Sequence, residues 1–234
     1  AGYPLVRRLR EICQAQGVEF IEEVMIFSLL RDEDRVVGAL GVDLRGGELL
    51  LFPTKSLVLA TGGGAALFKR HNNAKGTIGE GFVLGLEAGT ALVNLEFVIF
   101  DVPPPIFSRI LKGDWEEGFL EEANAHYFLG GLEINEQGET AVKGLFAGGE
   151  VTGNLFGAGR LGGSAMADVL VFGARAGAAS AEWASLQNSS SLNGQAEEEQ
   201  RKLENRLKGK LSSRWVKQEV KRIMWEYCGI YKTE

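Results

Sequence analysis

An α/β fold that carries an antiparallel β-meander and closes on C-terminal helices is what this sequence predicts, and three stretches predict it. The run Gly144 to Ala179, GLFAGGEVTGNLFGAGRLGGSAMADVLVFGARAGAA, passes from a short apolar segment through glycine-dense chain into a small-residue helix. Met166, Val169, Leu170 and Phe172 recur there at helical spacing. Ser56 to Ala60 is continuously apolar and stops at Thr61-Gly62-Gly63-Gly64, the pattern of a strand buried on both faces of a parallel sheet. Between residues 20 and 52, three β-rich runs are separated by turn chemistry. A strand feeding a glycine loop and then a helix N-terminus makes an anion-binding corner, because glycine leaves the backbone open to close approach.

Taken in order, Tyr3 to Gln16 places Leu5, Val6, Leu9, Ile12 and Cys13 on one face and reads as an amphipathic helix ended at Gly17. The meander follows as Phe20 to Leu30, Arg35 to Leu44 and Glu48 to Phe52, separated by Asp32-Glu33-Asp34 and by Gly46-Gly47. After the strand Ser56 to Ala60, His71 to Gly81 is polar, Phe82 to Gly89 is helical, and Leu92 to Phe100 reads as one strand closed by Pro103-Pro104-Pro105. Ile106 to Asn124 shows little organisation beyond an acidic run, with Trp115 its only large aromatic anchor. His126 to Glu133 leads into a hairpin-like pair around Glu136-Gln137-Gly138 and so into the glycine corner. SLQNSSSLNGQ is linker-like by composition, and Glu197 to Tyr231 reads as two helices.

Composition narrows the function. At 234 residues and 45% hydrophobic content, the chain can bury a proper core as one large domain or a domain and a half. Glycine, at 32 residues, is about twice the usual ~7% and has no G-X-Y period, so it marks many tight turns around something. A net charge of −6 argues against nucleic acid or an anionic membrane surface as the main partner. Cys13, Cys228, His71 and His126 cannot build a four-ligand zinc site at a familiar spacing, so no metal is expected. The two cysteines read as packing residues, which fits a reducing, cytoplasmic setting. No apolar run reaches the ~18 residues of a membrane span, so any membrane association would come through partner subunits.

Gly157, Gly159 and Gly162 spell G-x-G-x-x-G, but that fingerprint needs a following strand with an acidic residue about 20 positions on. An alanine-rich helix and a linker follow instead, so the fingerprint reading fails. Seven glycines between Gly148 and Gly163 beside Glu150 and Arg160 are nevertheless dense for mere punctuation.

LVLATGGG, GTIGEGFVLGLEAG, NLEFVIF, HYFLGGLEI, the glycine corner and the tail IMWEYCGI occur in that order. In that order and spacing they resemble the flavoprotein subunit of the succinate dehydrogenase and fumarate reductase family. The resemblance implies a two-dinucleotide-binding-domain-like flavoprotein core, FAD as cofactor, and hydride exchange with a dicarboxylate substrate. Residue by residue it implies that Thr61 and Gly62 pass close to the cofactor and that Glu80 stands where an aspartate usually serves it. Gly149 and Glu150 form the family's GE pair, whose carboxylate bonds a sugar or ribityl hydroxyl. Ala165 and Met166 present helix-start amides to the flavin pyrimidine edge, and Arg160 and His126 grip the two ends of the substrate. It further implies an iron-sulfur or thiol electron-transfer partner. Each residue also has a plainer alternative: His126 as a structural histidine, Arg160 as a surface ion-pairing arginine, Glu150 as a turn carboxylate. His71 reads as an exposed loop residue, and Glu116-Glu117 with Glu121-Glu122 as a solvated face.

The departures from the family are as informative. No strand and G-x-G-x-x-G turn for the FAD pyrophosphate is seen before the first helix, only about 25 residues stand where a capping domain is usual, and no arginine, Arg109 included, matches that domain's general acid. Asp101 follows the strand where a histidine is usual, and Ser164-Ala165 replace Asn-Ser. The expected division is a partial FAD-binding domain with meander (1–105), a capping remnant (106–125), the C-terminal half of the FAD-binding domain (126–184), a linker (185–199) and a helical segment (200–234). Three readings stay open: an FAD-dependent oxidoreductase, expected to be part of a longer enzyme; a non-catalytic flavoprotein-fold chain acting as a binding subunit; or a flavoenzyme with a different substrate, because Asp101 in place of histidine would repel a carboxylate.

Overall fold

The structure is a computed structural model that describes residues 3–114, 116–188, 192 and 194–230; Trp115 and part of the linker-like stretch lie outside the described residues. The amphipathic helix α1 (Tyr3–Ala15) is followed by β1 (Val24–Asp32), β2 (Arg35–Asp43) and β3 (Leu49–Pro53), an antiparallel meander in that order. β4 (Leu57–Leu59) pairs in parallel with β9 (Leu145–Ala147), and α2 (Glu80–Ala88) packs against β1. β5 (Leu92–Val93) pairs with β8 (Gly131–Leu132), and β6 (Val98–Asp101) with β7 (Asn124–Phe128), both antiparallel. α3 (Pro104–Leu111), α4 (Ser164–Leu186), α5 (Gln195–Leu207) and α6 (Ser213–Tyr227) complete the fold. No helix among the described residues is long and apolar enough to cross a membrane.

Four expectations are corrected. Leu92 to Phe100 is two strands, because Asn94 takes a left-handed φ of 58° and accepts the Phe97 amide in a turn. The prolines do not merely close that strand. Pro104 and Pro105 open α3, where a missing amide costs nothing and φ is already helical, so Ile106 to Leu111 is helix with Ile106 buried. β4 is not buried on both faces: among the described residues it has one strand neighbour, and Val58 is exposed. His71 is half-buried and on an isolated parallel bridge to Ala125, so it is not an exposed loop residue. Cys13 and Cys228 are both free thiols.

The main core gathers Leu59, Phe68, Phe82, Phe128, Leu132, Leu145 and Val151 between α2 and the short strands. Phe68 sits edge-on to Phe100 at 5.2 Å, and Phe82 lies 5.6 Å from Phe128. A second cluster under the meander joins Leu30, Val37 and Leu40 to Leu192 and Ala196. α1 buries none of its residues; Arg10 holds it through Glu22 at 2.6 Å and the ring of Phe20.

Gly131 fixes the height of the glycine corner. Leu132 donates to the Val151 carbonyl and accepts from Gly153, and a Cβ at Gly131 would stand 2.2 Å from that carbonyl oxygen. Gly131→Ala is therefore expected to cost 1–3 kcal/mol or more, roughly the cost of overpacking. Gly159→Ala, where a Cβ meets nothing within 4 Å, should be nearly neutral. Urea unfolding of the two variants checks the contrast.

Candidate active site

The carboxyl ends of the parallel strands β4 and β9 open into the same corner, the place where open α/β sheets bind ligands. β4 runs into Thr61-Gly62-Gly63-Gly64 and β9 into Gly148-Gly149-Glu150. Gly62 and Gly149 have φ of 76° and 79°, left-handed values that glycine adopts without a Cβ penalty. A Cβ on Gly81 would meet the Thr61 hydroxyl at 1.9 Å, so the first turn of α2, which carries Glu80, lies directly against the β4 loop. Thr61, Gly62, Glu80, Gly149 and Glu150 are thus brought together.

Glu150 ties this corner shut. Its Oε1 accepts the Phe128 amide at 3.0 Å, a second bond comes from the Gly63 amide, and a Cβ on Gly63 would stand 2.2 Å from that oxygen. Burial pushes the carboxyl up to about 7, against the opposing pull of the Phe128 amide, the Arg160 charge and the Gly63 amide.

Arg160 lies across the ring of Tyr127, its guanidinium carbon 4.1 Å from the centroid, with a buried Nε that has no hydrogen-bond partner among the described residues. Asp168, on α4, is buried beside the Tyr127 hydroxyl and Arg160, and its Oδ1 is likewise without a partner among the described residues. Burial raises the Asp168 carboxyl above its ordinary range, opposed by the Tyr127 hydroxyl and the Arg160 charge. The Tyr127 phenol is pushed up as well, by burial and then by Asp168 and Glu150. Sequence reasoning missed Tyr127 and Asp168. The available signals were the tyrosine beside His126 and a single carboxylate early in an otherwise apolar, small-residue helix.

α4 begins at Gly163, left-handed with φ of 88°, and no side chain caps it. The Met166 amide turns back to the Gly163 carbonyl at 3.1 Å, while Ala165 is half-buried at the same turn. Gly157, Gly159, Gly162 and Gly163 meet nothing within 4 Å of where a Cβ would stand, so the approach to this helix start is bare backbone. An orphaned guanidinium nitrogen, an uncapped helix N-terminus and open glycines are what an electron-rich ring edge requires, so these residues fit a flavin.

His126 belongs to a different set of partners. It is the extra residue of a bulge in β7, where Ile99 pairs with Tyr127 and Phe100 with Ala125. Its Nδ1 lies 2.9 Å from Asn72 Oδ1 and 3.2 Å from Asp101 Oδ2, and its carbonyl accepts from Asn73. His126 and Arg160 are linked through Tyr127, the neighbour of the first and the platform of the second, but among the described residues they share no bonding partner. His71 turns its Nδ1 to the carbonyl of Asn73. Among the described residues no group of three or more histidine, cysteine, aspartate or glutamate side chains is placed to hold a metal ion.

Comparison with known proteins bears on this geometry. The FAD binding domain family matches residues 1–113 and 101–166. An uncharacterized FAD-dependent oxidoreductase of Methanocaldococcus jannaschii is 28% identical, over 100% of this chain and 59% of its own length. A fumarate reductase (CoM/CoB) subunit of Methanothermobacter marburgensis is 26% identical, over 99% of this chain and 58% of its own. The chain thus spans a little over half the length of these relatives. In solved structures, a quinol-fumarate reductase chain with menaquinol superposes with a TM-score of 0.83 at 21% identity, covering 96% of this chain and 57% of that one, a likeness of fold.

The folded Glu150 holds its proton to higher pH than an unfolded glutamate at its ordinary 4.5. Stability is therefore expected to fall as pH rises from about 4.5 to about 7 and to level off above, by up to roughly 3 kcal/mol. Glu150→Gln should flatten that slope. Denaturant midpoints across the window, without added flavin, are the measurement.

Proposed function

Because the chain belongs to the FAD-binding domain family and its cofactor is FAD, we propose that it forms the flavin-facing part of an oxidoreductase of the fumarate reductase and succinate dehydrogenase type. Its substrate is a dicarboxylic acid, saturated or unsaturated. FAD, when bound, supplies hydride exchange at its N5. The observation that carries the reading is Arg160: a guanidinium seated on an aromatic face, partly stripped of partners, beside an uncapped helix start.

In this role the planar fork of Arg160 takes a substrate carboxylate bidentately, which an ammonium cannot reproduce. Tyr127 supports the guanidinium from below, and Asp168 on α4 places a compensating carboxyl nearby. Shielded from water, the same cation stabilises negative charge developing on the substrate. The α4 N-terminus offers about half a positive charge to the electron-rich edge of the ring. Glu150, with Oε1 spent on backbone amides, keeps its other oxygen for a cofactor hydroxyl, and Glu80 serves the cofactor from α2. Electrons are exchanged with an iron-sulfur or thiol partner, through which any membrane association would come.

Arg160→Lys should lower turnover by about 10²-fold or more while leaving flavin absorbance in place. Near-normal turnover would remove the clamp. A protein that stays colourless after FAD is added would instead fit the non-catalytic binding chain.

A further inference from the structure

Asp101, a carboxylate at the end of β6, stands beside His126, the histidine proposed to receive the second end of the acid. Asn72 Nδ2 donates to Asp101 Oδ2 at 2.7 Å, which fixes the amide so that Asn72 Oδ1 faces His126. His126 Nδ1 therefore meets two acceptors, Asn72 Oδ1 at 2.9 Å and Asp101 Oδ2 at 3.2 Å. A bare nitrogen there would oppose lone pair to lone pair; only an N–H satisfies both. Flipping Asn72 does not escape the constraint, since its oxygen would then face the carboxylate.

We infer that Asp101 is a positioning residue that holds His126 as the Nδ1–H tautomer, so that this end of the site receives an uncharged hydrogen-bond donor. The inference rests on the proposed substrate reading and deepens it. With Nδ1 committed, neutral His126 offers only the Nε2 lone pair, which accepts. If Nε2 gains a proton, the imidazolium charge is cancelled by Asp101. In neither state does the pair carry net positive charge, whereas Arg160 at the other end always does. A second carboxylate thus finds no counter-charge in this pair, and an amide, a hydroxyl or a protonated carboxyl finds an acceptor. The substrate class is an acid with one carboxylate, seated on Arg160, and a neutral donor at its far end; a dicarboxylic acid enters as its monoanion.

Two measurements test this on the flavin-loaded protein. Nitrogen-15 spectra of labelled histidine, with His126 assigned by its loss in His126→Gln, should show a protonated Nδ1 and an unprotonated Nε2. The opposite tautomer overturns the inference, and that measurement requires no Asp101 variant to fold. Titration of the flavin absorption spectrum with fumaric acid monoamide and with fumarate dianion should favour the monoamide by about tenfold, and Asp101→His should reverse the order. Equal affinities that Asp101→His leaves unchanged defeat the role of Asp101 while the dicarboxylate reading stands. If neither acid perturbs the flavin, in wild type or in Arg160→Lys, both readings fall.

Discussion

One carboxylate holds the corner together. Glu150 stands after β9, yet its bonds go to the amide of Gly63 after β4 and to the amide of Phe128 at the end of β7. Three segments far apart in the chain are thereby fixed at one point, and each must bring its backbone close enough to be held. That requirement accounts for the glycines: Gly63 has no room for a Cβ against Glu150, and Gly131 has none against Val151. The strands themselves are only two to five residues long here, so side chain to backbone bonds do the aligning that longer ladders do elsewhere.

Features written in local pattern were legible in the sequence. The meander, α1, α2 and the strand–loop–helix corner follow from periodicity and turn residues, and their limits agree within a few positions. The two C-terminal helices were equally plain. What could not be read was decided by distant contacts. The split of Leu92 to Phe100 depends on Asn94 turning left-handed, and the Asn94 peptide lies where a Cβ on Gly130 would stand. Pro103-Pro104-Pro105 is compatible with a strand end or a helix start, and only buried Ile106 decides between them.

The site divides in the same way. Motif spacing singled out Arg160, Glu150 and His126 as expected site residues, whereas the contacts each makes could not be read, because Tyr127 approaches Arg160, and Asp101 approaches His126, only across the fold. The two ends of the corner consequently differ in character. Around Arg160 the groups are half-buried or buried, Asp168 most of all, so their charges act through a lower dielectric than that of water. Around His126 the groups are open to solvent, and hydrogen-bond direction counts for more than Coulomb energy.

The unpaired residue in β7 has a consequence for how this chain can vary. His126 is one residue in excess of its partner strand, and that excess sets the phase of everything after it: Tyr127 beneath Arg160, Phe128 at Glu150. Removing or adding one residue there would rotate both by half a pleat and detach the guanidinium and the carboxylate together. Lineages of this protein should therefore absorb length changes at the solvent-exposed Gly46-Gly47 tip of the meander, and keep the residue count of β7 unaltered.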